Sequence, residues 1–229
     1  MKTIVISDVH LGSDVCQAKL LDHFLSDTDY SQVERLIING DLFDDSQFGR
    51  LKKHHWHILS LIRKMSDSIE IIHIRGNHDL PAEILSILMG VNVVNEYVLV
   101  SNNKSIFFHH GHRYDMFTEK HKILTWMGDQ IYWVLQKLDP SFALARSVKH
   151  ASKTFMRNSQ IIEEKSIKYA EKHHHNAVIT GHTHFALARK TGEVEYYNSG
   201  CWTELPCSFI VVEDGKIELH TYDEHIHRN

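Results

Sequence analysis

The 229-residue chain has little of what builds disulfide scaffolds, membrane spans or disordered linkers. Its three cysteines, Cys16, Cys201 and Cys207, leave an odd number and show no C-x-x-C spacing. A disulfide framework is therefore not expected, a reducing compartment is, and Cys201 and Cys207 read as small buried residues. Only three prolines and eleven glycines interrupt the chain, and no internal repeat or low-complexity stretch is present. No apolar run approaches the roughly 20 residues of a membrane span. The first residues run straight into a strand pattern without a leader or cleavage site, so a cytoplasmic protein is expected. Acidic residues are missing locally, with none from Pro140 to Ile162. In that interval Arg146, Lys149, Lys153 and Arg157 recur every three or four residues, on one helical face. The net charge of −4 carries no argument for nucleic acid.

Histidine, by contrast, is abundant, at 20 residues. Several histidines fall where a short apolar run stops. Ile4–Ile6 leads to Asp8 and His10, and Ile37–Ile38 to Gly40-Asp41. Ile71–Ile74 leads to Gly76-Asn77-His78-Asp79, Ile106–Phe108 to His110-Gly111-His112, and Ala177–Thr180 to Gly181-His182-Thr183-His184. Each run reads as a buried strand, and open α/β sheets place ligands at the carboxyl ends of strands. Five strand ends delivering Asp, Asn and His describe a metal site, with Asp41 at its centre.

Helical periodicity is expected over 17–26, 51–65 and 81–89, the last opened by Pro81 and closed by Gly90. Short strands over 91–94, 97–100 and 105–108 read as a meander. Residues 113–175 carry almost no strand signal. They read as a helical insert within a single domain, with helices over 118–138, 141–157 and 160–173, the first unusually apolar around Trp126 and Trp133. Strands return over 177–180, 185–189, 194–198, 208–212 and 216–221. Strand–helix alternation followed by hairpins predicts an α/β fold of two mixed sheets packed together and flanked by helices, a four-layer α/β/β/α sandwich.

Carboxylate, imidazole and amide donors without thiolate suit Mn²⁺, Fe²⁺, Co²⁺ or catalytic Zn²⁺. Seven donors are too many for one ion and about right for two. Paired ions roughly 3.5–4 Å apart are the usual solution for phosphate-ester hydrolysis, because they clamp phosphate oxygens and generate a nucleophile at neutral pH. D-V-H at 8–10, G-D at 40–41, G-N-H-D at 76–79, H-G-H at 110–112 and G-H-T-H at 181–184 resemble, in order, the motifs of calcineurin-like metallophosphoesterases. The resemblance implies Asp8, His10 and His184 on one metal, Asn77, His110 and His182 on the other, and Asp41 bridging. It also implies that His78 stabilises phosphoryl oxygens or protonates the leaving group, with Asp79 orienting it.

Met156-Arg157-Asn158-Ser159 and the stretch from Tyr197 to Glu204, with the helical insert, are similar to the UDP-2,3-diacylglucosamine diphosphatase branch. That likeness implies Mn²⁺ as the leading ion, cleavage of a UDP-linked diacyl sugar to UMP and a lipid monophosphate, and Arg157, Asn158 and Ser159 at the substrate. It further implies peripheral contact with the inner face of the cytoplasmic membrane. Well-known members of the branch carry Arg after the metal-binding Asn, whereas this chain has His78, the superfamily's choice. A soluble nucleotide or other phosphodiester, a phosphoprotein, and a non-enzymatic scaffold are the other readings. Of the remaining histidines, His109 is expected to point away from His110 and serve structure. His54, His55 and His57 read as a solvated helix face, and His173–His175 as a charged helix end.

Overall fold

A computed structural model describes residues 2–115 and 153–223. The expected helices over 118–138 and most of 141–157, with Trp126, Trp133, Arg146 and Lys149, lie outside the described residues. Among the described residues, no helix is long and apolar enough to cross a membrane.

The first half alternates strand and helix: β1 (Lys2–Ile6), α1 (Ala18–Asp27), β2 (Val33–Asn39), α2 (Lys53–Met65), β3 (Glu70–Ile74), α3 (Ala82–Met89) and β4 (Asn92–Val94). These strands run parallel, and β10 (Cys207–Glu213) and β11 (Lys216–Tyr222) extend the sheet antiparallel, in the order β11-β10-β1-β2-β3-β4. A second sheet has the order β5-β6-β7-β9-β8, from β5 (Glu96–Ser101), β6 (Lys104–His109), β7 (Ala177–Thr180), β8 (Leu187–Thr191) and β9 (Val194–Asn198). It too is mixed, with β6, β7 and β9 parallel and both edges antiparallel. Two mixed sheets flanked by helices are the expected fold.

The two-residue period of a strand sorts the core into three layers. Ile4, Ile6, Leu36, Ile38 and Ile71 face α1–α3, packing on Leu21, Phe24, Ile58, Ile62 and Leu85. Their neighbours Val5, Ile37 and Ile72 point the other way and meet Ile106, Phe108 and Ile179 between the sheets. Phe107 and Val178 then reach the outer face of the second sheet, where Ile167 and Ala170 of α4 (Lys153–Lys172) cover them. The last helix of the expected insert is thus the fourth layer of the sandwich. It is one helix, where the sequence suggested a break between 157 and 160; no glycine or proline interrupts it, and its apolar face needs the sheet as partner.

His55 departs from the solvated reading. It is buried, its Nδ1 accepts the Lys52 N–H at the start of α2 (3.2 Å), and burial pushes its pKa down to about 4. Strand bounds shift by one or two residues, most at β8, where the flat 185–189 pattern gave no edge signal.

Candidate metal centre

Every expected ligand sits just past a strand. Asp8, His10, Asp41, His182 and His184 all have positive φ, between 51° and 67°, five of the nine such non-glycine residues described. Left-handed backbone costs an L-residue free energy and tends to persist where side chains must be aimed. Two motif glycines are explained by close approach, and Gly40 also takes a positive φ of 92°. A Cβ on Gly40 would enter the His110 ring, and one on Gly76 would strike Asp41 Oδ1. Each glycine clears space for a donor from another motif.

Donor atoms of the five motifs converge in three groups, each held within 4.8 Å: Asp8, His10 and His184; His10, Asp41 and His78; Asp41, His110 and His182. Asp41 belongs to two of them. Asn77 is exposed and lies between Gly76 and His78, both of which touch Asp41, the latter through its N–H to Asp41 Oδ1 (2.9 Å).

Hydrogen bonds set the imidazole tautomers. His110 Nδ1–H donates to the Asn39 carbonyl (2.9 Å), which leaves Nε2 buried, without a hydrogen-bond partner, 3.1 Å from Asp41 Oδ2. His184 Nε2 stands 3.3 Å from Asp8 Oδ1 and 3.1 Å from His10 Nε2, while its Nδ1 lies 3.3 Å from Thr203 Oγ1. Carboxylates and imidazoles therefore face one another at hydrogen-bond range, an arrangement stabilised by positive charge between them, whether protons or metal ions. The charges agree. Burial alone would raise Asp8 and Asp41, but His184 and His110 hold Asp8 below the usual carboxylate range, and His110 and His10 hold Asp41 well below it. Against its own burial, His110 is pushed up to about 10 by Asp41 and Asp8. Oxygen and nitrogen donors of this kind fit a pair of divalent ions; which metal is not set by them.

The structure corrects the expectation for Asp79. It does not reach His78. Its carboxylate is buried and accepts N–H bonds from Asp41, Leu42, Phe43 and Gly76, and one from His73 Nε2, so it shapes the turn that carries Asp41. The residue that orients His78 is Asp44, whose carbonyl accepts His78 Nδ1–H (2.7 Å); Asp44 Oδ1 also lies 3.4 Å from His10 Nδ1. The sequence reading missed Asp44, because its contact with His78 runs through the backbone carbonyl and joins segments 34 positions apart.

A second missed residue is Asp115, buried, with Oδ2 2.8 Å from His182 Nε2. A carboxylate accepts, so Nε2 carries the proton and Nδ1 is left for a metal. Replacing Asp115 by Asn is expected to weaken metal binding by roughly 10–100-fold, the usual effect of such outer partners. Metal titration with calorimetry checks this, and unchanged affinity would remove Asp115 from the site.

His109 is structural: its Nε2–H donates to Ser166 Oγ (3.0 Å), which itself donates to Ile162 O. His112 instead stays beside His110 and His182, and burial lowers its pKa to about 4. Arg157 is exposed on α4, and Asn158 and Ser159 are partly buried. Among the described residues no hydrogen bond or ion pair joins these three to a candidate ligand. Ser159 lines, with Glu163, Thr183, Arg189 and Asn198, a cavity of about 30 Å³ behind the G-H-T-H turn, room for one water and not for a substrate.

Comparison with known proteins agrees with this geometry. The family model of calcineurin-like phosphoesterases matches residues 1–186. An uncharacterized metallophosphoesterase of Helicobacter pylori is 26% identical over 227 residues, covering 94% of this chain; the chain spans 54% of that relative's length. Among solved structures, an archaeal phosphodiesterase is similar with a TM-score of 0.52 at 16% identity, covering 96% of this chain and 99% of its own. Chaetomium thermophilum Vps29 is similar with a TM-score of 0.51 at 14% identity, covering 98% and 88%. These two likenesses concern the fold. The family match spans most of the chain, and by it the chain belongs to the calcineurin-like phosphoesterases.

Proposed function

We propose that the chain is a dinuclear-metal phosphoesterase that hydrolyses a diphosphate or phosphodiester bond. The observation that carries this reading is the position of Asp41, shared between the donor group containing His10 and His78 and the group containing His110 and His182. In this reading Asp8, His10 and His184 hold one ion, Asn77, His110 and His182 the other, and Asp41 both. Bound there, the ions supply Lewis-acid charge at the phosphate and a nucleophile at neutral pH. The protein's own groups do the rest. The Asp44 carbonyl holds His78 through Nδ1–H, which leaves Nε2 to meet a phosphoryl or leaving-group oxygen. His78 is exposed, as a group that meets substrate must be.

The substrate within this class is a UDP-2,3-diacylglucosamine-like lipid diphosphate, cleaved to UMP and a lipid monophosphate with Mn²⁺. The support is the sequence likeness at 156–159 and 197–204. A phosphodiester with no lipid fits the metal centre equally, and His78 in place of arginine favours it. The test measures UMP release from UDP-2,3-diacylglucosamine in detergent with Mn²⁺, beside hydrolysis of an aryl phosphodiester. Lipid turnover well above the aryl ester is the expected result. Aryl-ester turnover alone moves the substrate elsewhere, and inactivity on both with two ions bound overturns the enzyme.

A further inference from the structure

The segment after β9 passes beneath the metal centre. Trp202 N–H donates to Asp8 O (3.0 Å), Ser7 Oγ–H bonds Gly200 O (3.1 Å), and the Trp202 ring is fully buried against Phe24 and Tyr222. This anchoring also places the residues on either side of Trp202. Cys201 and Glu204 are both buried, and Thr203 Oγ1 lies 3.3 Å from His184 Nδ1. The Cys201 sulfur, a Glu204 carboxylate oxygen and a His184 ring nitrogen come within 4.8 Å of one another. Tetrahedral sites with bonds of roughly 2.0–2.3 Å hold their donors somewhat closer than this limit, so a bound ion would draw the three inward.

The donor chemistry here differs from that of the main centre. A thiol, a carboxylate and an imidazole form a mixed set, and sulfur selects thiophilic ions where oxygen and imidazole alone do not. We infer that Cys201, Glu204 and His184 form an accessory site for a thiophilic divalent ion such as Zn²⁺ or Cd²⁺, sharing His184 with the main centre. Binding exchanges the Cys201 S–H bond for a sulfur–metal bond, releases one proton to solvent, and leaves the ion divalent. The partly exposed side of His184 is the entry, since Cys201 and Glu204 are closed to solvent. His184 Nε2 also stands 3.3 Å from Asp8 and 3.1 Å from His10, so the accessory ion and the main centre compete for one neutral imidazole. A thiophilic ion in excess is therefore inhibitory.

The test does not depend on the proposed activity. The full chain, loaded with Mn²⁺, is titrated with Cd²⁺ while the ultraviolet thiolate-to-cadmium charge-transfer absorption is followed. One equivalent is expected to produce the band. Cys201→Ser is expected to abolish it, while Cys16→Ser and Cys207→Ser retain it. Glu204→Gln keeps the sulfur and tests the site without removing it: Cd²⁺ affinity is expected to fall by about tenfold or more, the least an outer partner contributes. Absence of the band in the wild-type chain, its survival in Cys201→Ser, or unchanged affinity in Glu204→Gln overturns the site. Loss of phosphoesterase activity in every chain, with the band intact, would sink the proposed function and leave the accessory site standing.

Discussion

Asp41→Asn should lower kcat by at least about 10³-fold while leaving the fold intact, a loss of roughly 4 kcal/mol of transition-state stabilisation. Asp41 is a carboxylate common to two groups of ligands, so its neutralisation weakens both at once. The amide keeps the shape that Gly76 and the His78 N–H require, but it removes the negative charge that His110 and His10 surround. Metal content by mass spectrometry should fall from two ions to one or none in step with activity. A variant that keeps both ions and more than a few per cent of its rate would show that Asp41 shapes the turn and nothing more.

Asp79→Ala should destabilise the chain by about 3–5 kcal/mol, the scale of a buried charge network that loses one partner. Four backbone N–H groups, of Asp41, Leu42, Phe43 and Gly76, lose their acceptor together with His73 Nε2. Water cannot readily replace the carboxylate, because Asp79 and His73 are buried. Chemical denaturation measures the cost. Two outcomes separate this role from the one expected from sequence, in which Asp79 orients His78. If Asp79 only oriented His78, Asp79→Ala would lower kcat and leave the denaturation midpoint unchanged. A lowered midpoint with weakened metal binding supports the turn role.

Much of the site is legible in the sequence because it is local. Each ligand follows a short apolar run directly, and the run, the glycine and the donor are adjacent along the chain. Burial on both faces makes such runs continuous in apolar residues, as in Ile4–Ile6 and Ile37–Ile38, so strand and strand end are both visible. The two-residue period likewise shows that His109 turns away from His110. The helical part is less legible. His55 sits among polar residues that mimic a solvated face, and only the packing of α2 shows that its ring turns inward to take the Lys52 N–H.

The sequence by itself determined which residues hold donor atoms, the order of the five motifs and the layered α/β class, since these depend on side-chain chemistry and short-range period. Only the tertiary structure decided the pairings. Asp79 serves the Asp41 turn and not its neighbour His78, and Asp44 takes that task from 34 positions away. Asp115 finds His182 across 67 residues, and Cys201 and Glu204 come under His184 because Trp202 is buried. The physical reason is the same in each case. A hydrogen bond or a shared ligand depends on distances of a few ångströms between segments remote in sequence, and no local pattern of residues encodes those distances.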